Sequence, residues 1–303
     1  MKQTKMISLA LAAMLFAGCA APVQAEPEPT PPPVRMAVVS AADGFAEMLA
    51  EQAGNEIQIN AADNIEDADF DVALLYMPDA DEVEEITGSG VVLTDEPELI
   101  PEDISTVTVD DDAAVRAAWD ALYTYPSHST PIRLLTLTAG GEGLSREMFD
   151  TMLAEGKLQD KGNYIASQSE QTPEEWVAQR LEAIPVGLLD TIYADTEELA
   201  IAAYNALRAA ERNDSVEVIC PVLTEKLIGL MVEDHWSMGV CVGVSMKQGA
   251  EAMLELAEEL INGGKPGSRS LEPVVVYSDE VKALVDSGVS DISEIMDAVL
   301  DRF

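Results

Sequence analysis

The sequence has few residues of the types that metal sites, nucleophilic active sites and nucleic-acid interfaces require. Among 303 residues there are 2 His, 3 Cys and 17 Lys+Arg against 56 Asp+Glu, for a net charge of −39. So few His and Cys leave little material for a zinc site or a Cys/His catalytic centre, and we expect no metal and no cofactor. Because nucleic acids and anionic membrane surfaces are recognised by basic patches, the acidic balance argues against both as binding partners.

The sequence also lacks the common catalytic motifs. There is no GxSxG elbow, no Walker phosphate loop and no HExxH motif. The glycine-rich turn at 138–143 follows a predicted strand and opens a predicted helix, but it lacks the GxGxxG spacing and the Lys-Ser/Thr ending of a phosphate loop. We interpret it as a turn that lines a cleft. We therefore expect no catalytic residues and a protein that is not an enzyme.

The first eighteen residues resemble the export signal of a bacterial lipoprotein. Lys2 and Lys5 precede an apolar run at 7–17 that is too short to span a bilayer, and small residues lead into Cys19. The pattern predicts cleavage before Cys19 and lipidation of its thiol; the alternative is an ordinary secretory signal with an incidental cysteine. In both cases the protein is exported. Lipidated Cys19 would anchor it on the outer face of the cytoplasmic membrane or in the periplasm.

Residues 19–34 predict an extended tether. Six prolines lie between positions 20 and 34, and this density favours polyproline II over a packed helix or sheet. At ~3.1 Å per residue, the stem would reach roughly 40 Å. After the tether the chain is globular, because 48% of the residues are hydrophobic.

The body alternates strand-like and helix-like segments. The predicted strands lie at 36–40, 57–60, 70–77, 90–94, 106–109, 132–138, 164–167, 191–194, 216–221, 238–244 and 273–277. The predicted helices lie at 44–53, 113–123, 145–155, 173–183, 197–211, 224–232 and 246–262. Such alternation is typical of parallel sheets covered by helices. We predict an α/β fold of two doubly wound parallel-sheet lobes, since a barrel needs a regular cycle that the irregular segment 60–69 interrupts.

Two further features stay open at this level. Cys220 and Cys241 each lie in a strand-like run, and an exported location permits either a disulfide between them or two buried thiols. The acidic runs at 79–85 and 110–112 lack the spaced ligands and glycine of a calcium loop, so we interpret them as solvated faces.

Several segments, in the order in which they occur, resemble periplasmic binding proteins of the ribose/galactose type. The first is the polar-x-Phe turn Asp43-Gly44-Phe45, and the second is the strand and loop at 91–97. The third is the strand, polar cluster and helix at 190–207, and the fourth is the final crossover at 239–264. The resemblance implies the type I periplasmic binding protein fold, with two lobes joined by a three-strand hinge. It implies an N-terminal lobe of 35–104 plus 244–276 and a C-terminal lobe of 105–243 plus 277–303.

The resemblance also implies a function and a ligand site. Proteins of this type close over a small polar ligand, here sugar-like, and pass it to the permease of an ABC transporter. In the first lobe, Asp43 corresponds to a hydrogen-bonding residue and Phe45 to a ring that stacks on a sugar, with core packing as its alternative. Tyr76 occupies an Asn position of the family, and Asp95 stands near the polar position beside the hinge.

In the second lobe, Arg146 corresponds to an arginine that grips sugar hydroxyls, with Glu142 as its acidic companion; a surface role is its alternative. Asp195 and Thr196 fall in the polar cluster after a strand, where Asp195 binds ligand, caps the next helix, or does both. On this interpretation, Phe45→Ala and Arg146→Ala each weaken ligand binding without unfolding the protein.

Departures from the family pattern define an alternative function. Pro221, Gly243 and Ser245 stand where the family places an Asp or an Asn, and no Trp precedes the helix that begins at Pro173. The alternative is a degenerate homologue that acts as a sensor or an envelope interaction protein without transport.

Overall fold

The structure is a computed structural model that describes residues 33–40, 45–54, 57–62, 65, 69–78, 80–86, 90–124 and 130–300. The predicted export signal, Cys19 with its predicted lipidation, most of the proline-rich tether and Asp43 lie outside the described residues. The chain from Pro33 onward forms one compact unit. In the described part of the chain, no helix is long and apolar enough to cross a membrane.

The described residues form twelve strands and ten α-helices. The strands are β1 Val34–Ser40, β2 Ile57–Ala61, β3 Val72–Tyr76, β4 Gly90–Thr94, β5 Ser105–Val109, β6 Ile132–Thr138, β7 Leu158–Ile165, β8 Thr191–Ala194, β9 Glu217–Cys220, β10 Met238–Gly243, β11 Ser268–Leu271 and β12 Val274–Tyr277. The helices are α1 Phe45–Gln52, α2 Ala80–Glu85, α3 Asp111–Thr124, α4 Leu144–Ala154, α5 Pro173–Ala183, α6 Glu197–Ala209, α7 Glu225–Glu233, α8 Met246–Ile261, α9 Ser278–Asp286 and α10 Ile292–Leu300.

The strands form two six-stranded sheets, as the alternating pattern predicts. The first sheet has the order β11-β5-β4-β3-β1-β2, and all its strands are parallel. The second has the order β12-β10-β9-β8-β6-β7, in which β12 alone is antiparallel to its neighbour. The predicted fold class, two doubly wound lobes, is confirmed.

Helices cover both faces of each sheet. On the first sheet, α1 and α8 bury one face, and α2 with the segment that includes Ile65 covers the other. On the second sheet, α3 and α4 bury one face, and α5, α6, α7, α9 and α10 bury the other. Strands between two helical layers are apolar on both sides, which is why β4 is buried along its whole length.

The chain passes between the sheets three times, but at positions that differ from the expected lobe boundaries. Ser105–Val109 pairs with β4 in the first sheet, so the first crossing follows Val109 and not residue 104. The third crossing precedes Val274, because Val274–Tyr277 pairs with β10 in the second sheet and not with the first. Membership of a sheet is decided by strand pairing, which the local sequence pattern does not show.

Short polar side chains fix the beginnings of the helices that lead away from the strand ends. Thr172 and Glu175 form a capping box at α5, as the Thr-Pro-Glu-Glu sequence predicts. Thr196, Thr224 and Ser245 accept hydrogen bonds from the first turns of α6, α7 and α8, respectively. These caps position the turns that follow β8, β9 and β10.

Candidate ligand cleft

The strand registers bring the carboxyl ends of the two sheets together. Leu271 pairs with Val109 at the end of β5, and Val274 pairs with Gly243 at the end of β10. Only two residues separate Leu271 from Val274, a stretch that spans at most about 10 Å. The other two crossings also leave from strand ends, after Val109 and after Gly243. The carboxyl ends of both sheets therefore face each other, which is where open α/β sheets bind ligands.

Tyr76, at the end of β3, contributes to the first-lobe side of this cleft. Its ring packs against Phe45 with centroids 4.9 Å apart, and its hydroxyl donates a hydrogen bond to Met246 Sδ at 3.2 Å. Tyr76 is partly exposed. Burial and the nearby charge of Asp95 raise the pKa of the Tyr76 hydroxyl. Since that hydroxyl is engaged by Met246, the exposed part of Tyr76 is aromatic surface and not a free hydroxyl.

Phe45, the predicted stacking ring, lies in the core of the first lobe. Its side chain is 1% exposed and packs with Met36, Leu49 and Leu74 under the first sheet. In this conformation no face of the ring is open to a ligand. The geometry therefore favours the core-packing alternative, and the stacking role stays a prediction.

An acidic group follows β4 and β5. Asp95 is exposed, and Asp110 accepts a hydrogen bond from Ala113 N at 2.9 Å at the start of α3. Burial and the charges of neighbouring aspartates, with Asp95 the largest of these, raise the pKa of Asp111. The charge of Asp95 thus helps to raise the pKa of both Tyr76 and Asp111. The ends of β4 and β5, beside the first crossing, therefore carry concentrated negative charge.

Asp195, at the end of β8, lies on the second-lobe side. Both its carboxylate oxygens accept hydrogen bonds from Ala139 N at 3.0 Å, across the ends of β8 and β6. Burial raises the pKa of the Asp195 carboxyl. The N-cap of α6 is Thr196, whose hydroxyl accepts from Leu199 N at 3.4 Å. The suggestion that Asp195 caps this helix is therefore wrong, because the structure gives that position to Thr196.

Glu142 and Arg146 lie at the turn between β6 and α4. Glu142 is exposed in the glycine-rich segment. The Arg146 guanidinium bonds both oxygens of Asp150, Nη2 to Oδ1 at 2.8 Å and Nε to Oδ2 at 3.1 Å, and lies 5.1 Å from the Phe149 ring centroid. Its charge is thus engaged along its own helix. Glu142, Arg146 and Asp195 all lie at the carboxyl end of the second sheet, but Arg146 is not paired with Glu142.

Sequence reasoning missed three groups at these strand ends. Met246 Sδ accepts a hydrogen bond from the Tyr76 hydroxyl, and Ala139 N donates one to the Asp195 carboxylate. Ser145 Oγ lies 2.9 Å from the hydroxyl of buried Tyr193. The position of Met246 directly after the helix-capping Ser245 is the signal that places it at a strand end. Main-chain donors such as Ala139 N leave no signal in a sequence.

Cys220 and Cys241 are free thiols at directly paired positions of β9 and β10. Both are fully buried; burial raises the pKa of Cys220 to about 12 and moves that of Cys241 in the same direction. Thiols in this state are poor nucleophiles and metal ligands. In the described part of the chain, no group of three or more His, Cys, Asp or Glu residues could hold a metal ion.

Comparison with known proteins finds similarity in structure only. No protein-family model matches the chain, and no curated protein sequence does so either. Among solved structures, GanP, a glucose-galactose binding protein from Geobacillus stearothermophilus, superposes with a TM-score of 0.53 at 14% identity, covering 82% of this chain and 98% of GanP. The chain has the type I periplasmic binding protein fold.

Two other structures share this fold with the chain. A sugar ABC transporter protein from Yersinia enterocolitica has a TM-score of 0.51 at 16% identity, covering 88% of this chain and 94% of its own. A chain from a mutant XylFII-LytSN complex has a TM-score of 0.58 at 12% identity, covering 83% of this chain and 100% of its own. By their printed names, GanP is a binding protein and the Yersinia protein belongs to an ABC transporter.

Proposed function

We propose that the protein is an exported, lipid-anchored solute-binding protein that captures a small polar, sugar-like ligand between its lobes for an ABC transporter. The observation that carries this proposal is that the carboxyl ends of the two sheets face each other and are joined by three crossings. Tyr76, Asp95 and Asp195 lie at these strand ends. Lobes joined only at one edge can rotate as rigid bodies and enclose a ligand.

The printed names of the structural neighbours support a sugar as the ligand class. GanP is a glucose-galactose binding protein, and the Yersinia protein is a sugar ABC transporter. Another neighbour, with a TM-score of 0.50 and 16% identity, holds D-fucose. Sugar sites combine an apolar or aromatic surface with polar groups that pair with hydroxyls. Tyr76 provides such a surface here, and Asp95 and Asp195 provide acceptors.

The charges at the cleft narrow the ligand to a neutral or amino sugar. Asp95, Asp111 and Asp195 lie at the strand ends, whereas the guanidinium of Arg146 is already paired with Asp150. An anionic ligand would meet uncompensated negative charge on both sides. We therefore expect phosphorylated sugars and uronic acids to bind more weakly than the matching neutral sugar.

The anchor and the lobe boundaries belong to the same proposal. Lipidated Cys19 and a tether through residue 34 would hold the body near the membrane, within reach of a permease. Sheet membership supports lobes that divide after Val109, after Gly243 and between Leu271 and Val274. A metabolic lipid label on the wild-type protein, absent from Cys19→Ser, tests the anchor.

The ligand is tested by thermal shift across pentoses, hexoses, amino sugars, uronic acids, nucleosides and autoinducer-type sugars. A ligand at a hundred times its Kd stabilises the folded form by ~2.7 kcal/mol. We expect one class of neutral or amino sugar to raise the melting midpoint. Asp195→Ala should remove that shift, and Asp286→Ala, at an exposed ion pair outside the cleft, should retain it. A folded protein with no shift for any sugar would contradict the proposal.

One observation favours the second candidate, a sensor or envelope interaction protein without transport. The neighbour with a TM-score of 0.58 comes from a complex of two proteins, XylFII and LytSN. In addition, the burial of Phe45 favours the core-packing alternative over a ring that stacks on a sugar. Co-purification of the tagged protein from its own envelope with a signalling protein, and without a permease, would favour this candidate.

A further inference from the structure

A second cavity lies on the hinge side of the molecule, apart from the strand-end cleft. It encloses about 430 Å³ between the end of α1, the start of α8 and the end of α10. Its apolar wall consists of Met48, Met246, Met296 and Leu300. The volume falls in the range of sites that bind small organic molecules.

The cavity is shared by the two lobes. Met48 and Met246 pack against the core of the first lobe, whereas Met296 and Leu300 belong to the core of the second. An occupant would therefore contact both lobes beside the second crossing, which ends at Ser245. None of Asp95, Asp111 and Asp195 lines this cavity.

Gln52 provides a hydrogen-bond acceptor at the wall. Its Nε2 donates to Lys247 O at 3.4 Å, and its Oε1 is buried without a hydrogen-bond partner among the described residues. A buried amide oxygen without a donor is unfavourable and uncommon in folded proteins. Gln52 lines the cavity, and because the terminal torsion of glutamine is broad, its amide can rotate to present Oε1 to an occupant. An amide oxygen only accepts hydrogen bonds, so the group that satisfies it must be a donor.

We propose that this hinge cavity binds a small organic amine with an apolar body. The methionines are flexible and polarizable and fit around an aliphatic or aromatic group. An ammonium group would donate to Gln52 Oε1. The charged lining, Glu51 and Asp297 against Lys247, carries one net negative charge in a chain whose net charge is −39. Attraction to this charge favours an amine over an acid of the same size.

Met246 links the hinge cavity to the strand-end cleft. Its side chain lines the cavity, and its Sδ accepts the hydrogen bond from the Tyr76 hydroxyl. An amine that displaces Met246 would change how Tyr76 presents its ring. If the proposed sugar site is correct, the amine and the sugar therefore affect each other's affinity, as linkage between two sites requires.

The test uses methionine methyl resonances in NMR, with 2-phenylethylamine as the probe, phenylacetate as the anionic control and no sugar present. We expect the amine to shift the resonances of Met48, Met246 and Met296, assigned by Met→Leu replacement. The resonance of Met253, which is buried in the core of the first lobe and does not line the cavity, should stay unchanged. Because no sugar is used, the result does not depend on the cleft. No shift at these three methionines up to about 10 mM amine, where even weak millimolar binding is visible, would overturn the proposal. Equal shifts with phenylacetate would also overturn it.

Two variants of Gln52 test the acceptor. Gln52→Leu should weaken amine binding at least tenfold, whereas Gln52→Glu retains an acceptor, adds a negative charge and should strengthen it several-fold. Gln58→Leu, at a glutamine on β2 away from the cavity, is the matched control and should bind the amine as the wild type does. An unchanged Met253 resonance shows that each variant is folded. Equal amine affinity in Gln52→Leu, Gln52→Glu and wild type would contradict the assigned role of Oε1.

Discussion

Replacing Phe45 by alanine separates a core role from a ligand-binding role. The ring is 1% exposed and packs with Leu49, Met36 and Tyr76. Truncating a buried Phe removes its transfer free energy and leaves a cavity, at a cost of about 3–5 kcal/mol. Phe45→Leu retains most of the volume and should cost less than about 1.5 kcal/mol. The resemblance to sugar-binding proteins implies a different result, weaker ligand binding without unfolding of the protein.

Urea unfolding followed by far-UV circular dichroism measures the effect. All three tryptophans lie in the second lobe, Trp119 on α3, Trp176 on α5 and Trp236 between α7 and β10, so their fluorescence reports poorly on the first lobe. With a urea slope near 3 kcal/mol per molar, a loss of 3–5 kcal/mol lowers the midpoint by about 1 M or more. An unchanged midpoint in Phe45→Ala, together with reduced sugar affinity, would refute the core assignment and restore the stacking role.

Four further predictions follow from individual contacts. Asp190→Asn should lower the free energy of unfolding, measured in urea, by about 2–4 kcal/mol, because the Asp190 carboxylate accepts hydrogen bonds from both the side chain and the main chain of Arg133. The control Asp286→Asn, at an exposed ion pair with Lys282, should change it by less than about 1 kcal/mol. In Cys19→Ser, neither Cys220 nor Cys241 should react with Ellman's reagent at pH 8 until urea is added, because burial raises the pKa of both thiols. Rapid reaction of either thiol in the folded protein would contradict their burial. Thr172→Ala should cost about 1 kcal/mol through loss of the capping box, measured by thermal unfolding against Thr124→Ala, whose hydroxyl bonds carbonyls at the end of α3. Burial raises the folded-state pKa of Asp195 above its unfolded value, so the folded protein binds the Asp195 proton more tightly than the unfolded chain does. Ionisation of Asp195 therefore lowers the free energy of unfolding as the pH rises. Asp195→Asn should remove this pH-dependent component, measured by urea unfolding from pH 4 to 7.

The parts of the fold that the sequence predicts well are the buried strands. The sequences of β3 (VALLY) and β4 (GVVLT) are apolar throughout, because helices or loops cover both faces of the sheet. By contrast, β11 has the sequence SRSL and is largely exposed, and it is a strand because it pairs with β5 more than 150 residues earlier. A pairing of that kind has no local signal. The start of β7 was missed for a similar reason, since its first six residues include Gln, Asp, Lys and Asn.

The sequence predicts where the candidate site residues lie better than it predicts which contacts they make. Polar residues after β4 and β8 do lie at the facing strand ends, which follows from chain order and parallel pairing. Which neighbour engages each side chain could not be predicted. Phe45 is covered by Tyr76, Arg146 is paired with Asp150, and Thr196 takes the capping position expected of Asp195. These contacts depend on rotamers and on main-chain donors that only the folded structure brings together.

Hydrogen–deuterium exchange, with and without a saturating mixture of neutral and amino monosaccharides, tests the central claim most directly. Closure over a sugar predicts slower exchange in peptides that cover the facing strand ends, residues 94–111, 138–146 and 194–197, with little change at the far edge of the second sheet around 158–163. Unchanged exchange in all three cleft peptides, from a folded protein, would contradict the assignment of this cleft as a sugar site.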